Sequence, residues 1–353
     1  MAWLFLIAYW VAAFVVASFF YALWNRGVRA ELNLRGAEPS PGSPIEELPD
    51  HILRTGPIAG PVFEGDRLTL DLRLVSPRGT RGPARMRGRV GDVELSAAAG
   101  LIPPAGGSHL ETVGPLRRGP IGATGWVLES SDLIGLFAHR SRAIDSEVAL
   151  VLPRFAALSE RPHARDLEAS VTAPRSGSGN ELFGVREYRH GDPLRRVHWR
   201  SSARHGELIV REYEPPGVQT VGILCDSHPP SREAADQIAR LAASEAWDCL
   251  RAGGRVILWS PGVEATRPEE SRLIWPVLEW LARYPLPTGG EVVGDIPSQL
   301  SDAIAVTASD SPELADALET VKRRGGSVRA WVVGEAELGA DVALQRAGLQ
   351  WPL

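Results

Sequence analysis

The sequence predicts a multi-domain α+β protein: an N-terminal transmembrane helix, then a β-sandwich, then a three-layer α/β domain. Three observations carry this. An uncharged apolar run opens the chain, and short alternating runs broken by glycine and proline turns follow it. Continuous apolar runs separated by helical stretches then fill the C-terminal part. At 353 residues there is chain enough for two soluble domains.

The opening run, Leu4 to Trp24, holds no charge over 21 residues. As a helix it would measure roughly 31 Å, about the thickness of a bilayer's hydrocarbon core. Phe and Trp crowd its downstream end, where a signal peptide would carry small residues for cleavage. Arg26, Arg29 and Arg35 follow it, and nothing basic precedes it except the terminal amine. The positive-inside tendency then predicts a single-pass cell-membrane protein with the bulk of the chain in the cytoplasm.

Residues 36–62 are rich in Pro, Gly and Ser, and residues 25–62 read as a tether. A turn signal at Phe63–Asp66 opens a β-sandwich over residues 63–155. Leu68, Leu70, Leu72 and Leu74 alternate with Thr69, Asp71 and Arg73 there, the period of a half-buried strand. ARMRGRV, VELSA, GWVLES and EVALVLP continue the rhythm between turns.

From residue 218 the alphabet changes. TVGILCD, RVILWS, AIAVTAS and VRAWVV read as buried strands, with helices predicted over Ser231–Leu250, about 269–284 and from Ser311. Pro276 should kink or break the second of these helices. Ser311-Pro312-Glu313 opens the third as cap, first-turn proline and acid. Residues 218–353 are therefore expected to form the three-layer α/β domain.

Composition excludes several functions. The formal net charge is -5, against a nucleic-acid-binding field. Lys322 is the single lysine among 38 basic residues, so an isolated arginine carries little information. The two cysteines, Cys225 and Cys249, form no CxxC pair. They read as buried apolar groups in a reducing compartment, and no cofactor is expected.

The densest segment lies in the junction between the domains, residues 156–217. It runs VREYRHGDPLRRVHWRSSARHGELIVREY over 185–213. Both VREY tetrapeptides read as strands that could pair side by side and set Arg against Glu. The segment's candidate residues are Arg186, Glu187, Tyr188, Gly191, Asp192, Arg195, His198, Trp199, Arg204, Arg211 and Glu212. One reading makes them a salt-bridge lattice plugged by Trp199. A second leaves the arginines exposed as a docking face for an acidic or phosphorylated partner. A third draws a hydrolase from His190, His198 and His205 with Ser201 and Ser202, although no GxSxG elbow is present.

This segment, from ELFGVREY to LIVREYE, resembles the signature of the bacterial DUF58 family. RGP at 118–120 and DLIGLF at 132–137 are similar to further segments of that family. The resemblance implies a membrane segment, a β-rich region and a von Willebrand factor A-like domain, in that order. It also implies work beside a AAA+ ATPase of the MoxR type in assembling or maturing client proteins, with no established catalytic activity. Metal-competent A-domains carry Asp-x-Ser-x-Ser after their first strand. Asp226 matches, but His228 and Pro230 replace the serines, so a degenerate site without metal is expected. The alternative is a hydrolase or metal-dependent enzyme using His198 or Asp226.

Overall fold

The first helix, α1 (Ala2–Asn25), is 24 residues long, or about 36 Å. The structure, a computed structural model, describes residues 2–58, 60–142, 145–158, 182–188, 197–213, 220–287, 296–339 and 342–351. For 182–187, 205 and 211–213 it describes the backbone alone. The chain divides into two compact units, Met1–Arg154 and Phe155–Leu353.

α1 is exposed along most of its length and is long and apolar enough to cross a membrane. Its buried residues, Ser18, Ala22 and Asn25, recur at helical spacing and form one stripe against the first unit. Asn25 anchors that stripe. Its amide nitrogen donates to the carbonyls of Pro83 (3.0 Å) and Ser131 (2.7 Å), and its oxygen accepts from Gly82 N–H (2.8 Å). Tyr21 adds a hydroxyl donated to Gly82 O.

The segment expected as a tether is built into the fold instead. Arg29–Glu38 is strand β1, which runs antiparallel to β3 (Arg67–Val75) with Leu32 opposite Leu72. Beyond it, ahead of the one-turn helix α2 (Asp50–Leu53), the chain is pinned by buried Asp66, whose carboxylate accepts from the Ser40 and Phe63 backbone N–H groups. Composition misled here because an edge strand needs few apolar residues, and Ala30, Leu32 and Leu34 supply its inner face.

Two sheets make the first unit. In the smaller one β3 lies between β1 and β6 (Gly107–Val113). The larger comprises β2 (Val62–Phe63), β9 (Ser146–Leu152), β7 (Gly119–Ser131), β4 (Ala84–Val90) and β5 (Val93–Ala99), in that order, with β8 (Ala138–Arg142) pairing β7. The leucines of β3 share one core with Met86, Trp126 and Ile121 of the larger sheet, so the expected sandwich forms. Trp126 lies over Gly88, where a Cβ would come within 2.3 Å of its ring.

On the outer face of β3, Asp71 is fully covered. It accepts from Arg35 (2.6 and 2.9 Å) and from the Ser108 hydroxyl, clasping β1 and β6 to the central strand. Desolvation pushes its carboxyl up, but the hydrogen bonds from Ser108 and Arg35 and the charges of Arg35 and Arg73 outweigh this and hold it below the ordinary carboxylate value. A lowered folded-state pKa stabilises the fold above the unfolded value near 3.9, and that contribution fades as pH falls through the lowered one. Asp71→Asn should therefore lower the thermal midpoint at pH 7 and flatten its fall below about pH 4. Parallel melting profiles of the two proteins across pH 2–7 would rule the clasp out.

The second unit holds a five-stranded sheet, parallel throughout, in the order β13 (Arg255–Trp259), β12 (Thr220–Cys225), β14 (Asp302–Thr307), β15 (Val328–Val333), β16 (Ala343–Ala347). Ser231 caps α4 (Arg232–Arg251) by accepting from Ala234 N–H, and Gly253 ends it in a left-handed conformation (φ 84°). Ser311 caps α6 (Pro312–Arg323) in the same way. The two helices cover opposite faces. Ala330 and Val332 pack with Leu314 and Leu318 of α6, while their strand neighbour Trp331 turns its indole N–H to Glu245 of α4 (2.6 Å). Three layers result. α5 starts late, at Ile274, and runs to Arg283 unbroken. Pro276 thus falls in the first turn, where its missing N–H has no helical partner to lose.

Candidate functional site

The signature block folds as strand, helix and strand. β10 (Leu182–Glu187) and β11 (Ile209–Tyr213) pair antiparallel, so the two VREY segments do lie side by side. The register differs from the one expected, because Arg186 stands opposite Val210 and Arg211 opposite Val185, with no arginine directly across from a glutamate. The side chains of Arg186, Glu187, Arg211 and Glu212 lie outside the described ones, as do His190 and Gly191, Asp192 and Arg195 entirely. Tyr188 continues β10 with its N–H on Leu208 O (2.8 Å) and is half-buried.

α3 (Trp199–His205) is set by His198 and Ser202. The His198 ring accepts at Nδ1 from Ser201 N–H (3.1 Å), capping the helix and leaving the ring proton on Nε2. Ser202 is buried, accepts from Ile209 N–H (2.8 Å) and donates to His198 O (3.1 Å), tying α3 to β11. Gly206 closes the helix in a left-handed conformation (φ 76°). The drawn hydrolase loses its parts in this arrangement. Ser202 Oγ is occupied by backbone, and it is the main chain of Ser201 that meets the imidazole.

Trp199 corrects the lattice reading in a second way. It was expected as an apolar plug, but 65% of its surface is exposed. Arg200, Ala203 and Arg204 are exposed beside it, and Leu208 follows at 42%. A seven-residue helix held by buried Ser202 thus still leaves Trp199, its first residue, in solvent.

The second candidate is the C-terminal edge of the parallel sheet. From β12 the chain leaves toward β13, whereas from its neighbour β14 it leaves toward β15 on the other side. Such a reversal opens a crevice at the strand ends, where open α/β sheets commonly bind ligands. Here Asp226 fills it. Its carboxylate, almost fully buried, accepts from His228 N–H (2.9 Å) at one oxygen. The other accepts from the Thr307 hydroxyl (3.0 Å), Ala308 N–H (3.3 Å) and the Ser309 hydroxyl (2.6 Å). Tyr284 donates its hydroxyl to Asp226 O. Three loops are clasped at one residue. His228 and Pro230 are exposed, and among the described residues no cluster of three His, Cys, Asp or Glu side chains could hold a metal.

Beside the clasp, a groove of about 940 Å³ runs between Trp259 and the outer face of α6. Glu313, Asp316, Arg324 and His228 are among the residues that line it. Nothing in the sequence singled out this groove, since its residues come from four separate loops and helices. At the opposite edge of the sheet, where β13 and β14 begin, burial raises the Cys249 thiol to about 12, with the charges of Glu245 and Asp302 pushing the same way. Both cysteines are buried and outside any disulfide, and Cys249 is an inert core group.

Comparison with known proteins gives one relative and one family match. An uncharacterised protein of Bacillus subtilis (strain 168), YeaD, is 24% identical over 140 residues. The match covers 39% of this chain and 35% of that protein, so the chain spans about a third of the length of its curated relative. Residues 184–270 match the model of a family described as a protein of unknown function, DUF58. They run from β10 through α3, the Asp226 loop and α4, and over that stretch, about a quarter of its length, the chain is similar to the DUF58 family.

Proposed function

We propose that this is a membrane-anchored interaction protein. In this reading α1 holds it in the membrane, the rest stands on the cytoplasmic side, and α3 docks a AAA+ ATPase of the MoxR type or its client protein. The observation that carries the reading is exposed Trp199 with Arg200 and Arg204 at its flanks. Trp and Arg are the residues most often found to dominate protein interfaces, and a water-exposed Trp on a fixed helix has no folding role to explain it. The partner type comes from the family resemblance. Exposed Arg26 and Arg29 beside α1 support the orientation. The second unit is read as a von Willebrand factor A-like fold used for binding, its crevice closed by the Asp226 clasp instead of a metal.

Capture of the neighbouring ATPase by the detergent-solubilised chain tests this. Trp199→Ala and Arg204→Ala, in protein still folded by circular dichroism, should each weaken capture by about tenfold or more. Capture undiminished by both removes α3 as the docking element.

A further inference from the structure

One rim of the first unit is apolar beyond the needs of its core. There the ends of β4, β5 and β7 meet the last turns of α1, with Ala84 opposite both Ala99 and Ser130. The turn after β7, Asp132–Phe137, projects from this rim. It exposes Leu133 (67%), Ile134 (56%) and Leu136 (54%), and Leu101 in the turn after β5 is exposed beside it. Phe137, the turn's last residue, packs edge-on against Phe19 of α1 (ring centroids 5.5 Å apart). The exposed apolar surface of the turn is thus continuous with that of the helix.

The backbone of the turn suits an apolar surrounding. Asp132 N–H donates to Phe137 O (3.1 Å), Gly135 N–H donates to Asp132 O (3.3 Å), and the buried Asp132 carboxylate accepts from the N–H groups of Phe137 (2.7 Å) and Ile134 (3.4 Å). Polar groups are turned inward while three large aliphatic side chains are turned outward. Gly135, in a left-handed conformation (φ 78°), makes the reversal that allows it. In hydrocarbon, unsatisfied backbone groups are what exclude irregular chain, and here four of the six N–H groups, those of Asp132, Ile134, Gly135 and Phe137, are bonded within the turn.

We infer that the Asp132–Phe137 turn dips into the same bilayer that α1 crosses, so that the sandwich rests on the membrane surface through this rim. The inference rests on the anchoring reading of α1. Depth agrees with it. Phe19 precedes exposed Trp24, at the interfacial end of the span, by five residues, or about 7.5 Å along the helix. The turn therefore reaches the level at which amphipathic elements bury their apolar face, about 5–10 Å below the surface. Arg26 and Arg85 are exposed behind it, at the height of the lipid headgroups. A soluble partner would gain little from aliphatic residues placed against a membrane helix, whereas lipid is already there.

The test uses the full chain reconstituted in phosphatidylcholine–phosphatidylglycerol vesicles. Single cysteines carrying an environment-sensitive fluorophore are placed by Leu133→Cys, Ile134→Cys or Leu136→Cys, the native thiols being buried. Val11→Cys reports α1, and Val93→Cys reports the opposite rim, at the β4–β5 hairpin. The turn probes should emit to the blue of the Val93 probe and be quenched at least about twofold by nitroxides placed just below the headgroups. Turn probes matching Val93 while Val11 is quenched would overturn the inference and leave the anchor standing. If Val11 also escapes quenching, both the anchor and the inference fall. Blue-shifted turn probes that lipid nitroxides do not quench would mean protein, not lipid, covers the rim, and would overturn it as well.

Discussion

Asp226→Ala should cost the second unit about 3–4 kcal/mol, lowering its thermal midpoint by roughly 6–16 °C. The carboxylate serves four donors from two loops, and each was desolvated to reach it. Hydrogen bonds to a charged acceptor contribute more than neutral ones, and a buried donor left without its acceptor keeps the full desolvation cost. Alanine removes the acceptor and leaves the Thr307 and Ser309 hydroxyls and the Ala308 N–H around a small polar void. His228→Ala, on the same loop but exposed, should move the midpoint hardly at all. Differential scanning calorimetry separates the two. An Asp226→Ala protein that melts like its parent, yet loses a heat of Mg²⁺ binding that the parent shows, would make this residue a ligand and not a clasp.

Trp126→Ala should be of similar size in the first unit, about 3–5 kcal/mol. Trp126 is fully buried, bonds through its indole N–H to Arg89 O (3.1 Å), and covers Gly88 on the neighbouring strand. The cavity left by its removal is bounded by sheet on both sides and cannot readily collapse. The Gly88 contact gives a second handle. Gly88→Ala alone puts a methyl where the ring now lies and should cost about 1–3 kcal/mol. Combined with Trp126→Leu, which clears that space, the same change should cost less by about 1 kcal/mol or more. Strictly additive losses in the double mutant would mean that the two residues do not share the space.

Much of the architecture was legible because it rests on periodicity. The leucines at 68, 70, 72 and 74 marked β3, and the continuous apolar runs marked the parallel sheet with its capped helices. What escaped was decided by partners distant in sequence. Arg29–Glu38 reads as linker until β3 lies beside it, and β16 is amphipathic and short. The pairing of the two VREY strands followed from their alternation, but their register depends on the turns between, and it sets Arg against Val. The exposure of Trp199 was illegible for a plain reason. Seven residues span two helical turns, too few for a period to show which side faces inward. The Asp226 clasp was readable only by analogy, since Thr307 and Ser309 stand some eighty residues away in the chain.

Three residues, Arg26 to Val28, separate the last residue of α1 from β1, and that last residue, Asn25, is itself bonded to Gly82, Pro83 and Ser131. A spacer this short reaches about 10 Å at full stretch. The first unit thus cannot swing like a weight on a string. Any twist or pull applied to the sandwich is delivered to the helix as through a stiff handle.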